Sequence, residues 1–196
     1  KERKPMHINK INDAIFVGSI TESQKEYNGS KHVLYKNKLE VTYGEQILRD
    51  NLHKECLSIV YFFCVNDEVF KIGQTSCKTG IKGCLGFYCA AGQDDPGKNR
   101  FAINALVREQ LRLNNKVDVY MKYKAPIKVN IDGINKSHEL VVPLSAKCLE
   151  EAHLKDYKEV EGKYPKWNYQ EASQPIPAHI FDAFTSYVKK RGETRK

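Results

Sequence analysis

The run "IVYFFCV" at residues 59–65 constrains the fold more than any other part of the chain, because its odd and even positions are both apolar. Successive side chains of a strand point to opposite faces, so a strand built this way must be covered on both sides and lie inside a sheet. "NDE" then turns the chain, and residues 69–73, "VFKIG", return as a second strand. Lys71 interrupts this core-like hairpin. An amine placed there is costly unless it is paired, kept at an edge or needed for chemistry.

The turn decides which side chains can cooperate. If Val65 pairs with Val69 across a three-residue "NDE" loop, Phe63 faces Lys71 and Tyr61 faces Gly73. Tyr61 and Lys71 are then diagonal neighbours on one face, roughly 7–8 Å apart at the backbone. A two-residue loop slips the register by one and sends them to opposite faces. A joint role for the two residues requires an odd loop.

Elsewhere the periodicity predicts a small α+β domain. Residues 1–41 are polar and weakly patterned, with a turn in "KEYNGSKH" and a strand in "HVLYKNKLEV". "TYGEQILRDNL" sets Thr42 three residues before Glu45, a capping-box spacing that predicts a short helix with Ile47, Leu48 and Leu52 inward. The glycine-rich residues 74–98 read as loop with a short helix over 83–91. A helix follows in "NRFAINALVREQLRLNN", with Ile103, Leu106, Val107 and Leu111 on one stripe. "KVDVYMKY" alternates as a third strand, and residues 126–144 read as an added hairpin around Asp132 and Gly133. Ser145 caps a helix, "YPKWN" follows, and a last helix over 178–190 turns Ile180, Phe181, Phe184, Tyr187 and Val188 to one side.

The formal charge of +8 is concentrated at the ends of the chain. Lys1, Arg3, Lys4 and Lys10 outweigh Glu2, and Lys189, Lys190, Arg191, Arg195 and Lys196 outweigh Glu193, which leaves the body close to neutral. Basic ends suit nucleic acid but do not establish it. The six cysteines form no CxxC pair, and the His53/Cys56 and Cys148/His153 spacings lack matched half-sites, so reduced, mostly buried thiols are expected rather than zinc. No apolar run approaches the ~20 residues of a membrane span. These features predict a soluble, cytoplasmic protein without membrane partners.

"IVY" at 59–61 and "KIG" at 71–73, ten residues apart, resemble the paired signature of the GIY-YIG nuclease superfamily, with lysine for the second tyrosine as in some of its type II restriction endonucleases. The similarity extends through "GQTS", the helix near 101–113, the strand near 117–123 and the acidic helix before "PKWN", and covers roughly residues 57–170. It implies an α/β sandwich in which a three-stranded antiparallel sheet is flanked by helices. Residues 1–56 would be an N-terminal extension and DNA-recognition element, 126–144 an inserted hairpin, and 171–196 a C-terminal helix and basic tail.

The same resemblance implies a site. Tyr61 would take a proton from the attacking water, with the Lys71 ammonium favouring its phenolate. A helix glutamate would hold one Mg2+ or Mn2+ ion per active site. Glu150 and Glu151 both qualify, and Glu151 is preferred because Leu154 follows it by three residues. Asn168 matches the terminal asparagine. The expected phosphate-clamping arginine is missing from "GIKGCLGFY", where Cys84 stands four residues before Tyr88. Lys82 and Arg100 are the rival replacements, and Tyr88, Asn104 and Arg108 complete the set as substrate-binding residues. The implied activity is hydrolysis of double-stranded DNA to a 5′-phosphate and a 3′-hydroxyl, by a homodimer if the target is palindromic. The alternatives are a nucleic-acid-binding module that keeps the scaffold without catalysis, and a small metabolic α/β protein. The last predicts Lys71 far from the helix glutamates.

Overall fold

The computed structural model describes residues 5–26, 35, 37–91 and 96–194, with side chains as far as residue 190. Most of the turn expected in "KEYNGSKH", the start of the strand after it and much of both basic ends lie outside the described residues. The elements are a 3₁₀ turn at Ile8–Lys10, strands β1 (Ile15–Glu26), β2 (Asn37–Tyr43), β3 (Ser58–Val65), β4 (Glu68–Thr75), β5 (Val117–Lys124), β6 (Ile127–Asp132) and β7 (Ser137–Val142), and helices α1 (Glu45–Arg49), α2 (Gly80–Cys89), α3 (Lys98–Arg112), α4 (Ala146–Glu161) and α5 (Ala178–Thr194).

The fold is α+β, an antiparallel sheet between helical layers. Among the described residues the sheet has five strands, in the order β2-β1-β5-β3-β4, not the three expected. The additional pair comes from the N-terminal stretch. Among the described side chains of β1, Val17 and Ile20 are the buried apolar ones, so the strand lacks the strong alternation that would announce it, and pairing with β5 decides its state. The doubly apolar β3 lies inside the sheet, between β5 and β4. Its odd residues Ile59, Tyr61, Phe63 and Val65 join a core with α2, α3 and α5, while Val60, Phe62 and Cys64 pack toward Leu154 and Tyr157 of α4.

The hairpin reaches the required register by another route. Asn66 and Asp67 both have positive φ (48° and 65°) and make a two-residue turn, so Val65 pairs with Glu68. A β-bulge at Phe70 then supplies one extra residue before Lys71. Phe63 faces Lys71 and Tyr61 faces Gly73, the predicted partners, because one bulged residue has the same parity as one more loop residue.

Two local expectations are corrected. Thr42 is a strand residue of β2, and Gly44 rather than Thr42 caps α1, whose Leu48 points outward. In α5, Phe181 and Val188 are exposed, while Ile180 and Tyr187 are buried. The β6–β7 hairpin forms its own two-stranded sheet, with Ile127, Ile131, Leu140 and Val141 exposed. No helix among the described residues is long and apolar enough to cross a membrane.

Candidate active site

β4 ends the sheet, and the segment after α4 covers its edge. Trp167 N–H donates to the Phe70 carbonyl at 2.8 Å. The buried Asn168 carboxamide accepts from Ile72 N–H at 2.9 Å and donates to Ile72 C=O at 2.8 Å, much as a paired strand would. Asn168 therefore touches the backbone beside Lys71 and positions it. Next to this edge opens a cavity of about 300 Å³, lined by Tyr61, Lys71, Tyr88, Arg100, Glu150 and Glu171 among others.

Tyr61 is 3% exposed, and its ring lies across Gly73. A Cβ at position 73 would overlap the phenol oxygen and ring, so the glycine opposite Tyr61 is a steric necessity. The Tyr61 hydroxyl is 2.7 Å from that of Tyr88, and the Cys84 thiol is its other hydrogen-bonding neighbour. Burial, reinforced by these neighbours, pushes the Tyr61 phenol well above its ordinary pKa. Burial also pushes Tyr88 up to about 12 and the Cys84 thiol up to about 11.

Burial lowers the Lys71 ammonium from its usual range, and Glu171 and Glu150 oppose that shift. The Glu150 carboxyl is raised, chiefly by burial and against the pull of Lys71. Lys71 thus interacts with the carboxylates of the cavity, whereas Tyr61 answers to Tyr88 and Cys84.

Helix phase separates the two glutamates of α4. Ala146, Leu154 and Tyr157 bury one stripe of α4, and Glu150 lies on that stripe, one turn before Leu154. Glu151 is turned about 100° away, is 61% exposed and is ion-paired with Lys147 at 3.8 Å. It does not line the cavity, and Glu150 does.

The two rivals for the missing arginine are placed differently. Cys84 is beside Tyr61, as its place in the motif implied, but carries no charge to offer a phosphate. Arg100 lines the cavity, with its guanidinium 4.4 Å from the Phe87 ring centre. Lys82 is exposed and lines none of the described cavities that hold Tyr61.

Asn104 and Arg108 are not brought to the site. Asn104 is buried, donating to the Tyr88 and Cys89 carbonyls at the end of α2 and accepting from Arg108 Nε at 3.0 Å. The fully buried Arg108 pairs with Glu22 at 2.5 Å and donates to the Asn37 carbonyl, tying α3 to β1 and β2. Both are engaged inside the fold, Asn104 with the end of α2 and Arg108 with the N-terminal strands. Glu171, Gln74 and Asn99 line the cavity and were not singled out from sequence. Only fold-level proximity marks them.

No known protein-family model matches the chain, and no curated protein matches its sequence. Among solved structures it is similar to a point mutant of bacteriophage T4 EndoII, at 17% identity over 83% of this chain and 98% of that one, with a TM-score of 0.44. It is also similar to the restriction endonuclease HPY188I in complex with product DNA, at 16% identity over 83% of this chain and 91% of that one, with a TM-score of 0.36.

Proposed function

We propose that this chain is a DNA endonuclease of the GIY-YIG kind, hydrolysing phosphodiesters of double-stranded DNA to a 5′-phosphate and a 3′-hydroxyl. The observation that carries the reading is the gathering of Tyr61, Lys71, Arg100 and Glu150 around one cavity, from two strands and two helices far apart in sequence. A metabolic protein with Lys71 remote from the helix glutamates does not account for it.

The donor set suits a hard divalent cation. Glu150 and Glu171 present carboxylate oxygens to the cavity, and Mg2+ or Mn2+ binds through one or two carboxylates and keeps waters. Such an ion would supply Lewis-acid stabilisation of charge on the phosphate. Arg100 clamps the phosphate oxygens with its planar fork of donors. Lys71 and Tyr61 line the same cavity, and either one, once deprotonated, is placed to take the proton of the attacking water. When Lys71 is the acceptor, Tyr61 is the group placed to donate to the leaving 3′ oxygen. Asn168 positions Lys71 through Ile72.

Digestion of supercoiled plasmid with Mg2+, followed by sequencing of the ends, tests the reading. Cleavage is expected in the wild type, reduced at least about 100-fold in Glu150→Ala, the scale of losing one key charge-stabilising group. It should stay within roughly threefold of wild type in Glu151→Ala. The second reading, a binding module without catalysis, draws on Cys84 at the usual arginine position, and predicts DNA binding with no cleavage under any of these conditions.

A further inference from the structure

The cavity at Tyr61 is flanked on both sides. One neighbour, about 490 Å³, shares Asn99, Arg100, Tyr169, Gln170 and Ile176 with it and adds Lys98 and Gln174. The other, about 330 Å³, shares Tyr61, Gln74, Tyr88 and Arg100 and adds Thr75, Ser76 and Cys77. Arg100 lines all three. Together they make one continuous trough with the candidate active site in the middle.

The chemistry of the lining changes along it. Carboxylates occur only in the middle compartment, as Glu150 and Glu171. Neither flank has an acidic residue in its lining. Instead one flank offers an ammonium and the carboxamides of Asn99, Gln170 and Gln174, and the other a carboxamide and the hydroxyls of Thr75 and Ser76. Among the described residues, no side-chain hydrogen bond engages the three carboxamides of the first flank. Donor-rich, acid-free walls on both sides of an acidic centre suit a linear polyanion whose central phosphate alone meets the carboxylates. Amide, hydroxyl and lysine side chains are those that hold DNA phosphates in register without reading sequence.

Resting on the proposed nuclease function, we infer that the trough holds consecutive phosphodiesters of one DNA strand, with the scissile phosphate at Arg100 and a neighbouring phosphate held by Lys98, Gln170 and Gln174. The flanks then fix which phosphodiester enters the centre. Lys98 also lies 4.7 Å from the Phe181 ring centre, so the lysine head is seated on α5 at the trough wall.

Duplex binding measured in EDTA, where no cleavage occurs, tests this. Each phosphate neutralised contributes about 0.9 to the slope of log affinity against log salt. In Lys98→Gln the loss of affinity between about 50 and 200 mM salt should therefore shrink by roughly threefold to fourfold relative to wild type. Lys98→Arg should restore it, and Lys155→Gln, a charge removed from exposed α4 away from the trough, should leave the slope near the wild-type value. An unchanged slope in Lys98→Gln, or an equal change in Lys155→Gln, overturns the inference. A parallel plasmid digestion separates the two claims. Cleavage with an unaltered Lys98→Gln slope sinks the trough alone, and binding with the predicted slope but no cleavage sinks the nuclease alone. A wild type that binds no duplex sinks both.

Discussion

At Gly73 a missing side chain is part of the site. The Tyr61 ring occupies the space a Cβ would take, so Gly73→Ala must push the phenol away from Tyr88 or distort β4. Overpacking of this kind costs about 1–3 kcal/mol. Urea melts should show that loss, and plasmid cleavage should fall at least about tenfold, while Gly86→Ala on α2, where a Cβ meets nothing, should raise stability by about 0.5–1 kcal/mol and leave cleavage unchanged. The pH dependence separates the two proton acceptors. With its pKa depressed by burial, Lys71 is deprotonated at lower pH than a free lysine, whose pKa is 10.5. Cleavage should rise with pH and level off below that value. With Tyr61 as the base, its raised pKa predicts a rate still climbing above pH 10, and that profile would return the tyrosine to the role its motif suggested.

At the scale of elements, the edge of β4 depends on one carboxamide. Asn168→Ala leaves the N–H and C=O of Ile72 without their partners, at a cost of about 1–3 kcal/mol for each buried group left unsatisfied. Chemical denaturation should register the loss, and cleavage should fall further than stability alone explains, because Lys71 is the next residue along the strand. The parity of the β3–β4 hairpin belongs to the same scale. Reading "NDE" as a three-residue loop and finding a two-residue turn with a bulge at Phe70 lead to the same pairing of Tyr61 with Gly73. The turn type was open to Asn66 and Asp67, which tolerate positive φ, but where the extra residue sits depends on how Phe70 packs on Trp167, at 5.3 Å between ring centres.

For the whole molecule, the β6–β7 hairpin stands apart. Its strands pair with each other and not with the main sheet, its residues are almost all exposed, and two-stranded sheets contribute little stability by themselves. Replacing residues 127–142 with a short Gly-Ser link should therefore shift the thermal midpoint by less than about 2–4 °C, the equivalent of 1 kcal/mol in a chain this size. A larger drop in calorimetry would show that the hairpin supports the domain. The N-terminal strands behave in the opposite way. β1 pairs with β5, and its Glu22 satisfies the buried Arg108, so this part of the chain is built into the fold.

The sequence alone determined what depends on local period. A seven-residue run apolar on both faces had to be interior, and the helical stripe of α3 had to face a core. Between the two glutamates the motif spacing favoured Glu151, whereas it is Glu150 that shares the buried stripe of Leu154 and Tyr157 and lines the cavity. Only the tertiary structure decided which strands joined the sheet, that Tyr61 and Lys71 share a face through the bulge at Phe70, that Arg100 rather than Lys82 reaches the cavity, that Asn104 is taken up by the end of α2 and Arg108 by β1 and β2, and that Tyr61 is bonded to Tyr88. These outcomes turn on contacts between segments tens of residues apart. Periodicity records which face of an element is buried, but not which partner buries it.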